Sequence, residues 1–554
     1  MVRRSTFRQP PVPTRPPTDA AGAGDLPEFE FETVETARCG RALLWLGLLR
    51  RMRIRETVDR LLPTEAELSH GAVVEALVLN RLTSPRPLYR IEDWARSECL
   101  QALTGIDPNK LNDDRLGRAL DALALRPTEV HCAVTAQVVP TFGVQVTDVN
   151  YDTTSVYFEG DYEDSELAAR GHNKDGKPDH LQIKLALAVS DDGQVPLAHL
   201  TLPGNAGDVT TVPAALCALR SQLPTTDLVL SGDGVMWSQE NMDQVARAGG
   251  VFLGPIAMIP SVEKWVRAAR PDLPVEVKLV RSPSPVHYRG CVVERFAVNG
   301  VKDAGAHLVV FDERRARKEV QERTKALARF EAALERETTR LNTRSRKTKG
   351  PRTRTELEKA LLALAQRHGL ASRYITTALE GMPGSFTLCW TRDDKKLAEA
   401  VERDGKWPLV TNKKAATDQE LCVWAVRRYK RHGYVERDMH LTKGPLRVRP
   451  LFVQNDARIV GLVVITVLAL VALTLMERAA RKVLAPREAK GPVVAQMESA
   501  VRDVTVDTYL VKPIGKLFRV AHLGSRLQSL LHGLGWYVEI RALVERARRL
   551  PLQR

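Results

Sequence analysis

From Ile459 to Met476 the sequence runs for 18 residues without a charged side chain. Such a stretch must be withdrawn from water round its whole circumference, either by crossing a bilayer or by burial as a core helix. It is the only run of its kind in the chain, and it begins directly after Gln454-Asn455-Asp456-Ala457-Arg458. The expectation is a buried helix in a protein that touches no membrane, with a membrane span as the rival reading. A helix buried on all sides needs a large surround. The 554 residues, 44% apolar and 27% charged, supply one and suggest three or four domains. The 82 basic and 67 acidic residues leave a net charge of +15, which draws polyanions and makes nucleic acid the first partner to consider.

The seven cysteines are scattered, with no C-x-x-C pair, as expected of reduced thiols in a cytosol. The opening, MVRRSTFRQPPVPTRPP, has basic residues but no apolar run behind them, unlike a secretory signal. Residues 1–34 read as a disordered tail rich in proline. Residues 35–137 read as a helical DNA-binding domain. In it ARCGRALLWLGLLRRM, GAVVEALVLNRL and DRLGRALDALAL repeat apolar residues at spacings of three and four, with basic residues between. A plain helical bundle would give the same pattern.

From about Phe142 the period becomes two. VQVTDVNYDTTSVYF, LQIKLALAV and PLAHLTL read as three strands, followed by a helix, the strand DLVLSGD, a second helix and the strand VFLGPIA. That order is the element order of an RNase H-like core, and the expected fold class is therefore α/β. Residues 138–275 form the first part of a mixed sheet. Residues 276–412 form an insertion of strands and a helical hairpin, placed before a late helix. Residues 413–485 complete the core with that late helix and the buried apolar one, and 486–554 form a C-terminal helical segment. In the insertion, Val320, Leu327, Leu334 and Leu341 recur every seven residues as a short coiled-coil seam. Leu357, Leu361 and Leu364 mark a second helix, and the tip between the two is strongly basic.

The most informative passage is Tyr429 to Lys443, YKRHGYVERDMHLTK. It resembles the Tyr-x2-Arg-x3-Glu-x6-Lys signature of a large branch of bacterial insertion-sequence DDE transposases, with Tyr429, Glu436 and Lys443 on the matching positions. His432 stands where the family has arginine, and Arg431 and Arg437 are the neighbouring cations that could replace it. Upstream, Asp152 in NYDTTSVYFEG lies near the end of the first expected strand and Asp233 in LVLSGDGVMW ends the fourth. The family places Asp-x-Gly after the fourth strand; here the glycine follows at once, as Gly234. The loops beginning at Gly171 and Pro203, and the segment from Leu111, are also similar to this branch.

The resemblance implies that Asp152, Asp233 and Glu436 are the catalytic metal ligands. Mg²⁺ or Mn²⁺, two ions in all, suits an oxygen-only set. Two such ions roughly 3.5–4 Å apart serve in-line phosphodiester cleavage. Tyr429, His432 and Lys443 become candidate DNA contacts, joined by Arg344, Arg346, Lys347 and Lys349 of the basic tip. The implied activity is metal-dependent cleavage and strand transfer on double-stranded DNA. The terminal inverted repeats and target DNA would be the partners, with a homodimer in the synapsed state and the bacterial cytoplasm as the setting. An RNase H-like nuclease without strand transfer and an inactive DNA-binding relic are the alternatives. Asp208, in a glycine-rich loop, reads as structural.

Overall fold

The computed structural model describes residues 30–158, 162–171, 179–220, 228–278, 284–342, 353–381, 386–431, 455–483, 493–512 and 515–549, with 438, 441, 446 and 453 singly. The chain opens with strand β1 (Glu30–Arg38) and seven helices: α1 (Gly40–Arg51), α2 (Ile54–Leu61), α3 (His70–Thr83), α4 (Ile91–Ser97), α5 (Leu100–Thr104), α6 (Asp113–Leu125) and α7 (Pro127–Phe142). Ser69 and Asn112 cap α3 and α6 by accepting from Ala72 N and Arg115 N, which starts each helix at a defined residue.

A nine-stranded sheet follows. Strands β2 (Asp148–Tyr157), β3 (Gln182–Ser190) and β4 (Pro196–Pro203) form a meander. The chain then crosses through α8 (Val212–Arg220), β5 (Val229–Ser231), α9 (Gln239–Arg247) and β6 (Val251–Pro255). The order β4-β3-β2-β5-β6, with β2, β5 and β6 mutually parallel and β3 antiparallel, is the RNase H-like arrangement. After α10 (Pro260–Ala268) come β7 (Leu273–Val277), β8 (Val286–Val298) and β9 (Val301–Phe311). A module of α11 (Glu313–Asn342), α12 (Arg354–Arg367), β10 (Ile375–Glu380), β11 (Thr387–Arg392) and α13 (Asp394–Arg403) precedes β12 (Lys406–Thr411) and α14 (Asp418–Tyr429). The chain ends with α15 (Asp456–Val483), α16 (Val493–Ala500), β13 (Thr505–Lys512), β14 (Gly515–Ala521), α17 (Ser525–Leu534) and α18 (Tyr537–Arg549).

The two faces of the sheet are covered differently. On one, Val149 and Tyr151 of β2 and Ala186 and Ala188 of β3 pack on α8 and α9. On the other, Leu185, Leu187 and Val189 meet α15 and the N-terminal helices, and Leu253, Leu308 and Leu409 meet Leu421, Cys422 and Ala425 of α14. The apolar run is thus the centre of α15, whose residues from Ile459 to Ala472 are almost all buried. Gly461 allows its close approach to α6: a Cβ there would stand 2.4 Å from Leu120 O.

Four sequence-based expectations are corrected. The tail expected over 1–34 stops sooner, because Glu30–Arg38 is a strand paired antiparallel with β13. The region 35–137 does not keep a core to itself: its apolar side chains share one with α15, α16, α17 and α18, which supply the surface that short helices cannot bury among themselves. The C-terminal 486–554 segment is not purely helical, since β13 and β14 form a hairpin with β1 at its side. The expected insertion of 276–412 is narrower than that, because the strands at its two ends belong to the sheet. Strands β7, β8 and β9 continue the antiparallel ladder, and β12 inserts between β9 and β6. Only the stretch between Phe311 and Lys406 leaves the sheet.

That stretch is also not a bare helical hairpin. The buried side of α11 is Leu327, Phe330 and Leu334, covered by Ala371, Tyr374, Ile375, Leu388 and Ala400. Val320 is 42% exposed, so the seven-residue spacing does not make a coiled coil. Leu357 of α12 packs separately with Leu379 and Phe386.

Candidate active site

Parallel strands bring their carboxyl ends to one edge of a sheet, and in an α/β sheet that edge is where chemistry collects. Here β2 and β5 pair in the register Asp148–Val229, Val149–Leu230, Asn150–Ser231. Two residues further along each chain stand Asp152, still inside β2, and Asp233, just past the end of β5. The period of two keeps Asp152 on the face of Asn150, so the register sets the two acidic residues level with each other. Asp152 is half-buried and accepts from Thr153 N at 2.7 Å. Asp233 is exposed and accepts from Gly234 N at 2.6 Å, capping a single 3₁₀ turn. Gly234 sits tightly against the carbonyl of Pro255, at the end of the neighbouring strand β6.

The same face of β2 receives α14. Thr417 caps this helix by accepting from Glu420 N, and the last turn carries Arg427 and Arg428. Arg428 is buried, with its side chain 4% exposed. Its Nε donates to Asp148 Oδ1 at 2.9 Å and its Nη1 to Asn150 Oδ1 at 3.0 Å. Asp191, in the turn after β3, lies 3.6 Å from Nη1 and accepts from Arg431 at 2.6 Å. Burial pulls the Arg428 guanidinium below its ordinary value, and the charges of Asp148 and Asp191 pull it back up. This clamp holds the carboxyl end of α14 against the strand that carries Asp152. The sequence carried a signal for it, the alternation Asp148, Asn150, Asp152 along one face of the strand, though its partner on α14 is not legible locally.

Tyr429 is partly buried beside that apolar core and Lys430 lies over the rings of Tyr288 and Trp407, at 5.2 and 4.6 Å from their centroids. Burial lowers the Lys430 ammonium from its usual value. Glu436, His432 and Lys443 lie outside the described residues, as do Arg344, Arg346, Lys347 and Lys349. The structure therefore brings together Asp152 and Asp233 and sets Tyr429 at the end of the helix that leads toward Glu436. Asp208 belongs to the opposite face, where it accepts from Thr153 Oγ1 at 2.9 Å and Lys184 Nζ at 2.7 Å. Among the described residues no group of three His, Cys, Asp or Glu is placed to hold a metal ion. The two level carboxylates are an oxygen-only pair that fits a hard divalent cation and would need a third acidic ligand to complete it.

Comparison with known proteins adds the following. Residues 42–132 match a domain family of unknown function, DUF4277. No curated protein matches the chain. Among solved structures, the cryo-EM piggyBac transposase synaptic complex with hairpin DNA superposes at a TM-score of 0.35 with 8% identity, over 93% of this chain and 83% of that one. That superposition is too slight to add to the topology. Residues 146–472, from the first core strand to the middle of α15, match the family of the transposase DDE domain. This covers more than half of the chain, and the protein belongs to the DDE transposases.

Proposed function

We propose that the protein recognises the ends of an insertion sequence, cuts DNA there to free a 3′-hydroxyl and joins that end to target DNA. Asp152, Asp233 and Glu436 would hold Mg²⁺ or Mn²⁺. The observation that carries this reading is the level placement of Asp152 and Asp233 on the sheet face that α14 covers. The signature Tyr429, Glu436, Lys443 begins on the last residue of that helix.

When bound, the cations would activate the attacking oxygen and stabilise the leaving one. The chain's own part is positional. Strands β2 and β5 fix two carboxylates at one height, and the Arg428 clamp fixes the helix from which the chain runs on to the third. Lys443, with His432 or Arg431, would hold a phosphate beside the reacting bond. Tyr429 packs at the base of that segment. Two copies would pair the two element ends.

The test is strand nicking on a duplex of the repeats that flank the gene, with Mg²⁺ present. Asp152→Asn, Asp233→Asn and Glu436→Gln should each reduce nicking to background while duplex binding persists, because each removes a charged ligand with little change of shape. Near wild-type nicking in any one variant removes that residue from the set. Nicked ends that never appear joined to target DNA would make the protein a nuclease instead.

A further inference from the structure

The module between β9 and β12 leaves and re-enters the sheet at the edge where Asp152 and Asp233 stand. Phe311 pairs with Lys406, and β12 runs antiparallel to β6 with Leu409 opposite Pro255. The root of α11 therefore lies at the carboxyl end of β6. A cleft there is lined by Met258, which follows β6, together with Arg315, Glu319 and Arg323 of α11. Arg314 lies close enough to Tyr288, the ring under Lys430 at the end of α14, to influence it electrostatically.

At about 100° per residue, Arg314, Lys318, Lys325, Arg329 and Arg336 fall within roughly 60° of arc on α11. All five are exposed, and they face away from the buried side made by Leu327, Phe330 and Leu334. Ala332 is the other residue within that arc, with Gln321 and Thr339 about 20° outside one margin and Glu322 about 20° outside the other. Elsewhere on this helix, among the described side chains, the cations are paired: Arg315 with Glu319 at 2.7 Å, Arg317 with Glu313 at 2.6 Å, and Arg323 with Asp404. On the stripe, Lys318 has a loose contact of 3.7 Å with Glu322, and Arg314, Lys325, Arg329 and Arg336 make no ion pair among the described residues. A solubilising face mixes signs; this one separates them. From Arg314 to Arg336 the stripe is about 33 Å long at 1.5 Å per residue, close to one turn of duplex DNA.

We propose that this outward face of α11 lies along the phosphate backbone of the duplex DNA that enters the active site. The inference rests on the transposase reading and extends it to a surface that the catalytic motif does not include. Contacts of this kind set position and affinity without reading sequence. They should add to affinity for terminal and unrelated duplexes alike.

The experiment compares full-length wild type with a variant carrying Arg314→Gln, Lys325→Gln, Arg329→Gln and Arg336→Gln, which keeps good helix formers throughout. A charge-matched control carries Lys302→Gln, Lys482→Gln, Arg502→Gln and Arg541→Gln, at exposed positions outside α11. Binding to a fixed duplex is titrated with salt, and thermal unfolding is followed in parallel. The stripe variant should flatten the slope of log affinity against log salt by about 3 to 4. The control should flatten it by less than about 1, and all three proteins should melt together. An unchanged slope in a stripe variant that melts normally overturns the proposal, including the case where the stripe serves an acidic protein. A lowered melting temperature in the stripe variant would assign the residues to stability and overturn it as well. Failure of the wild type to bind any duplex would overturn the transposase reading and this inference together.

Discussion

Helices α11 and α15 are nearly equal in length, 30 and 28 residues, yet they hold their parts of the molecule in opposite ways. Helix α15 is apolar on every side and is enclosed by the N-terminal helices, the sheet and the C-terminal helices. Helix α11 buries one narrow side, in a core made wholly of its own module, and gives the rest to water. The junction at its root is charged. Arg323 pairs with Asp404 in a bidentate contact, Arg403 with Glu263, and Arg267 with Glu399 and Glu402. A shared apolar core makes the helical layer and the sheet one cooperative unit. A charged junction lets the module fold, or open, largely by itself.

The sharpest way to break this contrast is Val467→Asp. Val467 is fully buried in the middle of α15, and an unpaired carboxylate there should cost well over about 5 kcal/mol. The expected outcome is loss of soluble folded protein, read from expression, chromatography and circular dichroism. Soluble protein with its melting transition intact would mean that α15 is not the common core of the two halves.

Phe330→Ala addresses the other helix. Its ring is buried in the module core and stacks on His368 with centroids 5.2 Å apart, so truncation should cost about 3–5 kcal/mol. That loss should stay local. Amide exchange should speed up across α11, α12 and α13 while β2 and β3 keep their protection. Equal loss of protection in β2 would show that the module and the sheet unfold together.

The same contrast explains what could be read in advance. The period of two from Phe142, and its alternation with helical segments, was enough for the RNase H-like order, since each βαβ element declares itself locally. Asp152 and Asp233 could be picked out because the ends of β2 and β5 are where that fold places carboxylates. Long-range pairing could not be read. The segment KWPLVT looks like a strand, but nothing in it says that β12 inserts between β6 and β9, across some 150 residues from the first. The strand Glu30–Arg38 alternates too, as FEFETVET does, yet its partner β13 lies more than 460 residues away. The heptad Val320–Leu341 misled for a different reason. Spacings of seven arise both from a coiled coil and from a 3-4 stripe, and Phe330 shows that the stripe was the true pattern. The Arg428 clamp was hidden because an arginine at a helix end usually faces water.

A smaller effect tests the seam between the helical layer and the edge strand. His131 of α7 and His199 of β4 are fully buried and in contact, Nδ1 to Nδ1 at 3.0 Å, with His131 Nε2 at 3.3 Å from Pro196 O. Burial lowers His131 to about 4, and burial beside His131 lowers His199 further below the ordinary histidine value. Both folded values lie below the unfolded one, so the unfolded chain takes up protons first as pH falls. Stability is therefore complete above about pH 6.5 and declines toward pH 4, by on the order of 3 kcal/mol between pH 7 and 5 for the pair. Denaturant midpoints measured across that range should show the decline, and a His131→Gln, His199→Gln variant should flatten it. An equally steep decline in that variant would place the pH sensitivity elsewhere.

The smallest expected effect returns to the root of the module. Arg403 and Glu263 join α13 to α10 at 2.7 Å, but their side chains are 38% and 35% exposed. Water screens such a pair and ordering two long side chains costs entropy, so its net contribution is at most about 1 kcal/mol. Arg403→Gln should move the melting temperature by no more than about 2–4 °C and leave nicking unchanged. Arg323 and Asp404, the more buried pair, are 10% and 9% exposed. Removing only Arg323 strands a buried carboxylate and should cost several times more, about 3–5 kcal/mol. The comparison of the two variants is the measurement that matters. If Arg403→Gln were as damaging as Arg323→Ala, the rim of the junction would be as tightly coupled as its centre. The module would then be fastened to the sheet as firmly as the helical layer is, despite sharing no apolar core with it among the described residues.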